Sequence, residues 1–338
     1  MIYTGLFILL LMSFGLTAAL RRYALSQSML DIPNARSSHQ RPTPRGGGVA
    51  IVLSLMVFIP LLYWVGLAEQ NIVVALVGSG ACVAAIGFMD DHGHIAARWR
   101  LLGHALSAAW AVFWLGGLPT LQVFGYSLDI GIVGNILAII YVVWLLNLYN
   151  FMDGINGIAS MEAIFVCIAG AFLYSVTLHE PMIWVPLSIA VSVVGFLFWN
   201  FPVARIFMGD AGSGFLGVVL AILSIQAAWT SPQLFWSWII LLGVFVVDAT
   251  FTLLRRLVTG QKIYEAHRSH AYQYAARLYG SHSGVTFSVM VINLLWLFPI
   301  AYSVALQKID GMLATLLAYL PLILIVIRFY AGKKEVVG

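Results

Sequence analysis

The sequence predicts an all-α polytopic membrane protein with about eleven transmembrane helices. Of its 338 residues, 62% are apolar and only 9% are Asp, Glu, Lys or Arg, against roughly 25% charged residues in a soluble domain. Long apolar runs recur along the whole chain, and the basic residues gather in alternate loops between them. Too few polar residues remain to coat a soluble globule, whereas lipid accepts such runs without a coat.

Eleven runs are long enough to cross about 30 Å of hydrocarbon. They lie at roughly 2–20, 47–66, 71–89, 101–117, 133–152, 157–177, 182–200, 213–230, 234–257, 286–306 and 311–330. The first lacks the basic start of a secretory signal and is followed by Arg21 and Arg22, so it reads as a retained helix. Turn-forming or charged residues separate the rest, with no repeat or soluble segment between them, and 1–338 reads as a single membrane-embedded domain.

Sixteen of the 17 lysines and arginines fall in one set of alternate loops and the C-terminal tail; only Lys308 lies in the other set. By the positive-inside rule this puts the N-terminus outside and the C-terminus in the cytoplasm. The net charge of +4 then reflects orientation, and no nucleic-acid partner is expected. Cys82 and Cys167 sit in different apolar runs without metal-type spacing and read as apolar packing.

The loops assigned to the outside carry only isolated charges, whereas the cytoplasmic ones hold clusters. The third run ends in Asp90-Asp91. Adjacent carboxylates repel unless something positive answers them. A divalent cation, a substrate cation, or Arg98 and Arg100 could do so, leaving one acid as general base; alone, the pair could equally be a solvated stop. The fifth run leads into Asn147, Asn150, Asp153 and Asn156, and on a helix this spacing of three shares one face. Such amides suit a nucleobase edge or a phosphate, the acid suits a metal or a ribose hydroxyl, and the plainer reading is a polar helix end.

Asn200, Phe207, Asp210, Gly212 and Ser213 precede the eighth run. Glycines and a serine before a helix suit an anion, and Asp210 is a hard oxygen donor of the kind Mg²⁺ takes. Phe207 could stack on a base or anchor the loop. After the ninth run come His267, Arg268 and His270, suited to hydrogen-bonding phosphate and compensating its charge. The first cytoplasmic loop offers His39, Arg41 and Arg45 among prolines and glycines, a stiffened cationic segment able to hold a diphosphate. Glu162 and Asp248 lie inside apolar runs, where acids are expensive and usually paired. Both are expected to be structural, Asp248 through Arg255 or Arg256.

In order, spacing and shared membrane side, these five segments resemble the polyprenyl-phosphate N-acetylhexosamine-1-phosphate transferase family (MraY/WecA-like), with its O-antigen initiating members nearest. The resemblance implies Mg²⁺-dependent transfer (Mn²⁺ being an alternative ion) of a HexNAc-1-phosphate from a UDP-N-acetylhexosamine to undecaprenyl phosphate, releasing UMP. It implies a bacterial inner-membrane enzyme with its active site on the cytoplasmic face, and it is compatible with a homodimer. It implies catalytic roles for Asp90, Asp91, His267 and His270, and a metal site at Asp210, Asp91 and Asp153. Substrate binding falls to Asn150, Asp153, Asn156, Asn200, Phe207, His39, Arg41, Arg45 and Arg268. His-Arg-Ser-His at 267–270 departs from the adjacent histidines of the pentapeptide-sugar enzymes.

The physical logic stands beside the resemblance. Attack of one phosphate on another gathers negative charge that cations must offset, and a lipid acceptor explains why the site needs a membrane. The main alternative is a transporter of a nucleotide sugar or a phosphate-bearing lipid, but a transport path would place polar groups through the bilayer, and here they collect at one face. An alcohol phosphotransferase would carry Asp-Gly-x-x-Ala-Arg, and Asp153-Gly154 is followed by Ile-Asn-Gly-Ile.

Overall fold

The structure, a computed structural model, describes residues 2–33, 41–93, 95–261 and 267–333. Among these, fourteen α-helices follow one another: α1 (Ile2–Ser26), α2 (Val49–Trp64), α3 (Gln70–His92), α4 (Ala97–Leu115), α5 (Gly131–Met152), α6 (Ile158–Val176), α7 (Trp184–Asn200), α8 (Asp210–Thr230), α9 (Pro232–Leu241), α10 (Gly243–Val258), α11 (Ala271–Tyr279), α12 (His282–Ile292), α13 (Phe298–Ala305) and α14 (Gly311–Arg328). Two short antiparallel strand pairs, Leu30–Asp31 with Thr43–Pro44 and Leu121–Val123 with Tyr126–Leu128, and a 3-10 turn at Glu180–Ile183 accompany them.

All eleven apolar runs fall on helices, yet the spans are not uniform. Eight helical segments are long and apolar enough to cross a membrane, or nine if α9 and α10 form one broken span. Two runs fall outside that group: α2 has 16 residues, and α4 begins four residues before its run and so carries Arg98 and Arg100 in its first turn. The run at 234–257 breaks between α9 and α10, which meet at 68°. There Gly243 lets α14 come close, since an added Cβ would lie 2.9 Å from the Tyr319 ring. The run at 286–306 contains a π-helical turn, Asn293–Leu297, between α12 and α13.

The bundle is organised around α8, whose residues are buried without interruption from Ala211 to Ala228. A helix apolar on every side belongs at the centre. Membrane helices gain little hydrophobic free energy by associating, so close backbone approach through small residues matters. A Cβ on Gly217 would lie 2.7 Å from Leu146 Cα of α5, and one on Gly87 of α3 would lie 2.5 Å from the Ala211 nitrogen at the start of α8.

The two intramembrane acids are structural, as expected, but one partner differs. Glu162, fully buried in α6, accepts a 2.6 Å hydrogen bond from Asn293 Nδ2 in the π-helical turn. Asp248 does not pair with Arg255 or Arg256. It accepts the Ala271 and Tyr272 amides at 2.9 and 3.0 Å and the Thr252 hydroxyl at 3.1 Å. The first turn of α11 has unsatisfied N–H groups, and docking it against α10 makes them the nearest donors. Arg255 instead points to the Ala331 carbonyl and Arg256 to Gln261. Cys82 and Cys167 are free thiols.

The contact of α3 with α8 is testable. Gly87→Ala should lower the melting midpoint of the purified protein, costing roughly 1–3 kcal/mol, because the clash is with backbone. Gly15→Ala, where an added methyl meets nothing within 4 Å, should not lower it. Equal midpoints for the two variants would show that these helices do not touch at Gly87.

Candidate active site

The last turn of α3, the junction of α5 and α6, the first turn of α8 and the segment leading into α11 converge on a cavity of about 910 Å³. Asp90, Asp153 and Asp210 line it together with Asn150, His267 and His270. Its walls reach along α4 and α5, where Leu101, Ile139, Ile140 and Val143 make the lining apolar.

Asp90 and Asp91 are neighbours in sequence but, on a helix, side chains one residue apart diverge by about 100°. Asp90 faces the cavity, where it pairs with Arg100 and accepts the Ile95 amide at 2.8 Å. Arg100 also reaches to 3.8 Å from Asp210 Oδ2, so one guanidinium spans two carboxylates. Asp91 turns away from the cavity. Its side chain is 1% exposed and ion-paired with Arg45, whose Nε donates to Oδ1 at 3.1 Å.

The same carboxylate lies under the first turn of α8. The Asp210 and Ala211 amides approach its oxygens at 3.3 and 3.5 Å, an arrangement favoured by the positive end of the helix dipole. Gly209, with φ +78°, leads into that turn, and a Cβ there would lie 2.7 Å from Asp91 Oδ2. Backbone bonds tie this turn to the segment just before α2: Phe207 N donates to Pro44 O at 2.8 Å, Gly47 N to Phe207 O at 2.9 Å and Gly48 N to Met208 O at 2.8 Å. Asp210 is thereby presented to the cavity from a fixed frame, its side chain 31% exposed.

Asp153 follows the end of α5, held by its amide on the Asn150 carbonyl at 3.2 Å. Burial, and then the negative fields of Asp210 and Asp91, push its carboxyl well above the ordinary carboxylate range. Among the described residues no cation pairs with it. Nor, among them, does any set of three His, Cys, Asp or Glu side chains form a ready-made metal site. The donors nevertheless fit Mg²⁺, which keeps several waters and is held by one or two carboxylates plus substrate phosphates. Asp153 and Asp210, two oxygen donors on one cavity wall, are that kind of set; Asp91, engaged with Arg45 and the α8 amides, acts on it from behind.

His267 rests against His270, with ring centroids 5.0 Å apart, and bonds Ser269 Oγ through Nδ1 at 3.0 Å. Burial, then His270 and Arg256, push its pKa down to about 3, so it is a neutral hydrogen-bonding group rather than a charge. His270 is 1% exposed, with Nδ1 3.5 Å from Asp248 Oδ1.

Several expected substrate contacts have structural partners instead. Asn200 is 3% exposed, and both ends of its amide are used: Oδ1 accepts Gly157 N at 2.9 Å and Nδ2 donates to Ile206 O at 3.0 Å. Asn156 donates to the Pro202 carbonyl at 3.1 Å, and neither amide lines the cavity. Phe207 joins the backbone frame and is likewise off the cavity wall. Arg41 is exposed, and the Arg268 carbonyl accepts a bond from Arg277 at 3.0 Å. His39 lies outside the described residues. Among the cavity residues that the sequence reading does not single out is His104, hidden in an apolar run four residues after Arg100. Its signal is that of any ionisable residue inside a span.

Over residues 73–228, from α3 to α8, the chain matches the family described as glycosyl transferase family 4. It is 28% identical over 332 residues to a probable undecaprenyl-phosphate N-acetylglucosaminyl 1-phosphate transferase of Bacillus subtilis (strain 168), covering 96% of this chain and 88% of that protein. The undecaprenyl-phosphate alpha-N-acetylglucosaminyl 1-phosphate transferase of Thermotoga maritima is 28% identical over 303 residues, 88% of this chain and 91% of its own. The phospho-N-acetylmuramoyl-pentapeptide-transferase of Lactococcus lactis subsp. cremoris (strain SK11) is 30% identical over 239 residues, 67% of this chain and 70% of its own.

Unfolded, Asp153 ionises near 3.8; folded, its pKa is raised. Its contribution to stability is therefore complete below the lower value and drains away as pH rises towards the higher one. Asp153→Asn should melt above wild type in chelator at pH 7, with the gap closing towards pH 4; a gap constant with pH would mean that Asp153 ionises freely. Arg45→Ala should lower the midpoint by roughly 1–3 kcal/mol, as expected when a buried charge loses its partner, and Arg45→Lys should recover part of the loss. An unchanged midpoint in Arg45→Ala would show that Asp91 does not depend on that cation.

Proposed function

The chain belongs to glycosyl transferase family 4, and on that premise we propose that it transfers a HexNAc-1-phosphate from a UDP-N-acetylhexosamine to undecaprenyl phosphate, releasing UMP. The observation that carries this reading is the cavity itself: three acids and an arginine gather at one end, and an apolar lining extends from the other. A polar nucleotide sugar and an amphiphilic acceptor can meet only in a space of that kind.

In the net reaction a P–O bond forms between the lipid phosphate and the sugar-bearing phosphorus, and the bond from that phosphorus to UMP breaks, its electron pair leaving with UMP. Asp90, oriented by Arg100 and the Ile95 amide, takes the acceptor phosphate's proton. Arg100, placed between Asp90 and Asp210, answers the charge that accumulates as the phosphates approach. Asn150 hydrogen-bonds the nucleotide beside Asp153, and His267, being neutral, donates or accepts without adding charge. When bound at Asp153 and Asp210, Mg²⁺, or Mn²⁺ in its place, supplies the charge neutralisation that lets pyrophosphate oxygens lie beside carboxylates.

The same reading takes the protein to a bacterial inner membrane, crossing it eleven times with the cavity's polar end towards the cytoplasm, a sidedness supported by the Lys/Arg bias. A UDP-HexNAc without a peptide is supported by the two N-acetylglucosaminyl transferases that match most of the chain. The product begins O-antigen or a related surface polysaccharide.

Purified protein given undecaprenyl phosphate, Mg²⁺ and a panel of UDP-HexNAc donors should release UMP and form a pyrophosphate-linked lipid. Asp90→Asn and Asp210→Asn should each cut kcat by about 10²–10⁴-fold while melting near wild type. Movement of intact nucleotide sugar across proteoliposomes without UMP release would replace this reading with transport.

A further inference from the structure

Behind Arg100, one turn deeper along α4, His104 lies on the same helix face and lines the same cavity. Its Nδ1 is enclosed and has no hydrogen-bond partner among the described residues. Around it the lining is Leu101 and Ala105 of α4 and Ile139, Ile140 and Val143 of α5. It is the last ionisable side chain before the lining becomes apolar. An ionisable side chain inside a span is costly and normally finds a partner, and an unpaired buried nitrogen adds a further penalty. Neither is offset by a hydrogen bond to Nδ1 from any described residue.

We propose that His104 is the contact that positions the acceptor's phosphate group, receiving it jointly with Arg100 while the isoprenoid chain follows Ile139, Ile140 and Val143. This inference rests on the transferase reading and names the acceptor end of the cavity. A nucleotide sugar does not suit this end, because its hydroxyls and base would be desolvated against aliphatic walls without partners. An amphiphile with one phosphate satisfies both the imidazole and the walls. The donor then occupies the opposite end, beside Asn150, Asp153 and Gln273, and the two phosphates approach each other across Asp90 and Arg100.

The test is a pair of Michaelis constants for the full-length enzyme with Mg²⁺. His104→Ala should raise KM for undecaprenyl phosphate about 10- to 100-fold, the loss expected for one hydrogen bond to a charged group, and leave KM for the UDP-HexNAc unchanged. His104→Gln, which keeps an N–H donor, should recover part of the acceptor affinity and serves the comparison if the alanine variant does not fold. The acceptor effect should be equally large with a short-chain isoprenyl phosphate, because the contact is to the phosphate. The proposal is overturned by an unchanged acceptor KM, by an equal rise in both constants, or by an effect confined to the long-chain acceptor. Failure of the wild type to make any lipid product would instead sink the transferase reading.

Discussion

The site depends on one buried charge. Asp91 has almost no contact with solvent, and a carboxylate taken out of water is tolerated only when its oxygens are answered. Arg45 answers from the segment before α2 and the leading amides of α8 answer from the other side. These responses join three segments distant in sequence, and the glycines at 87 and 209 let their backbones come close enough to do so. The position of Asp210 in the cavity is therefore a consequence of Asp91: the acid that does not face the cavity orients one that does.

A second consequence is electrostatic. With Asp91 matched by Arg45 and Asp90 by Arg100, Asp210 has only a distant share of a guanidinium and Asp153 has no cation among the described residues. The cavity is short of positive charge where phosphates would have to bind. Under the proposed reaction, anionic substrates would be repelled by such a wall unless a cation entered with them, and this is the physical ground for proposing a divalent ion there. Leaving like charges unanswered costs stability, as is common at functional sites. The pressure falls on both of these acids: burial and then the neighbouring carboxylates push Asp153 well above the ordinary carboxylate range, and burial and then Asp91 raise Asp210 to about 6.

Much of this was legible in the sequence, because membrane segments are set by length and apolarity and the site by residue types that lipid does not accept. The eleven runs all became helices, and Asp90, Asn150, Asp153, Asp210, His267 and His270 all reached one cavity. What could not be read was direction. Asp90 and Asp91 are indistinguishable in sequence, and their roles separate only because one helical residue turns the side chain by about 100°. Asn200 looked like a ligand contact, but its amide closes two loop bonds created by the fold. Asp248 was expected to choose a basic side chain; it chose helix amides, donors that every residue type supplies and composition therefore cannot reveal. His104 was masked by the apolar run that makes its presence unusual.

The polarity of the cavity explains why these elements belong to one helical bundle. In the proposed reaction a nucleotide sugar would arrive from water and a polyprenyl phosphate from lipid, so their phosphates could meet only where a protein surface is polar at one end and apolar at the other. Loops alone cannot build that boundary inside a bilayer, since their backbone groups would lack partners. Helix ends can, because each terminus offers unpaired N–H or C=O groups beside an apolar shaft. The ends of α3 and α5 and the starts of α8 and α11 meet here, and the sides of α4 and α5 continue the wall into the apolar region. The chemistry is confined to the boundary because that is the only depth at which both substrates keep their solvation until they touch.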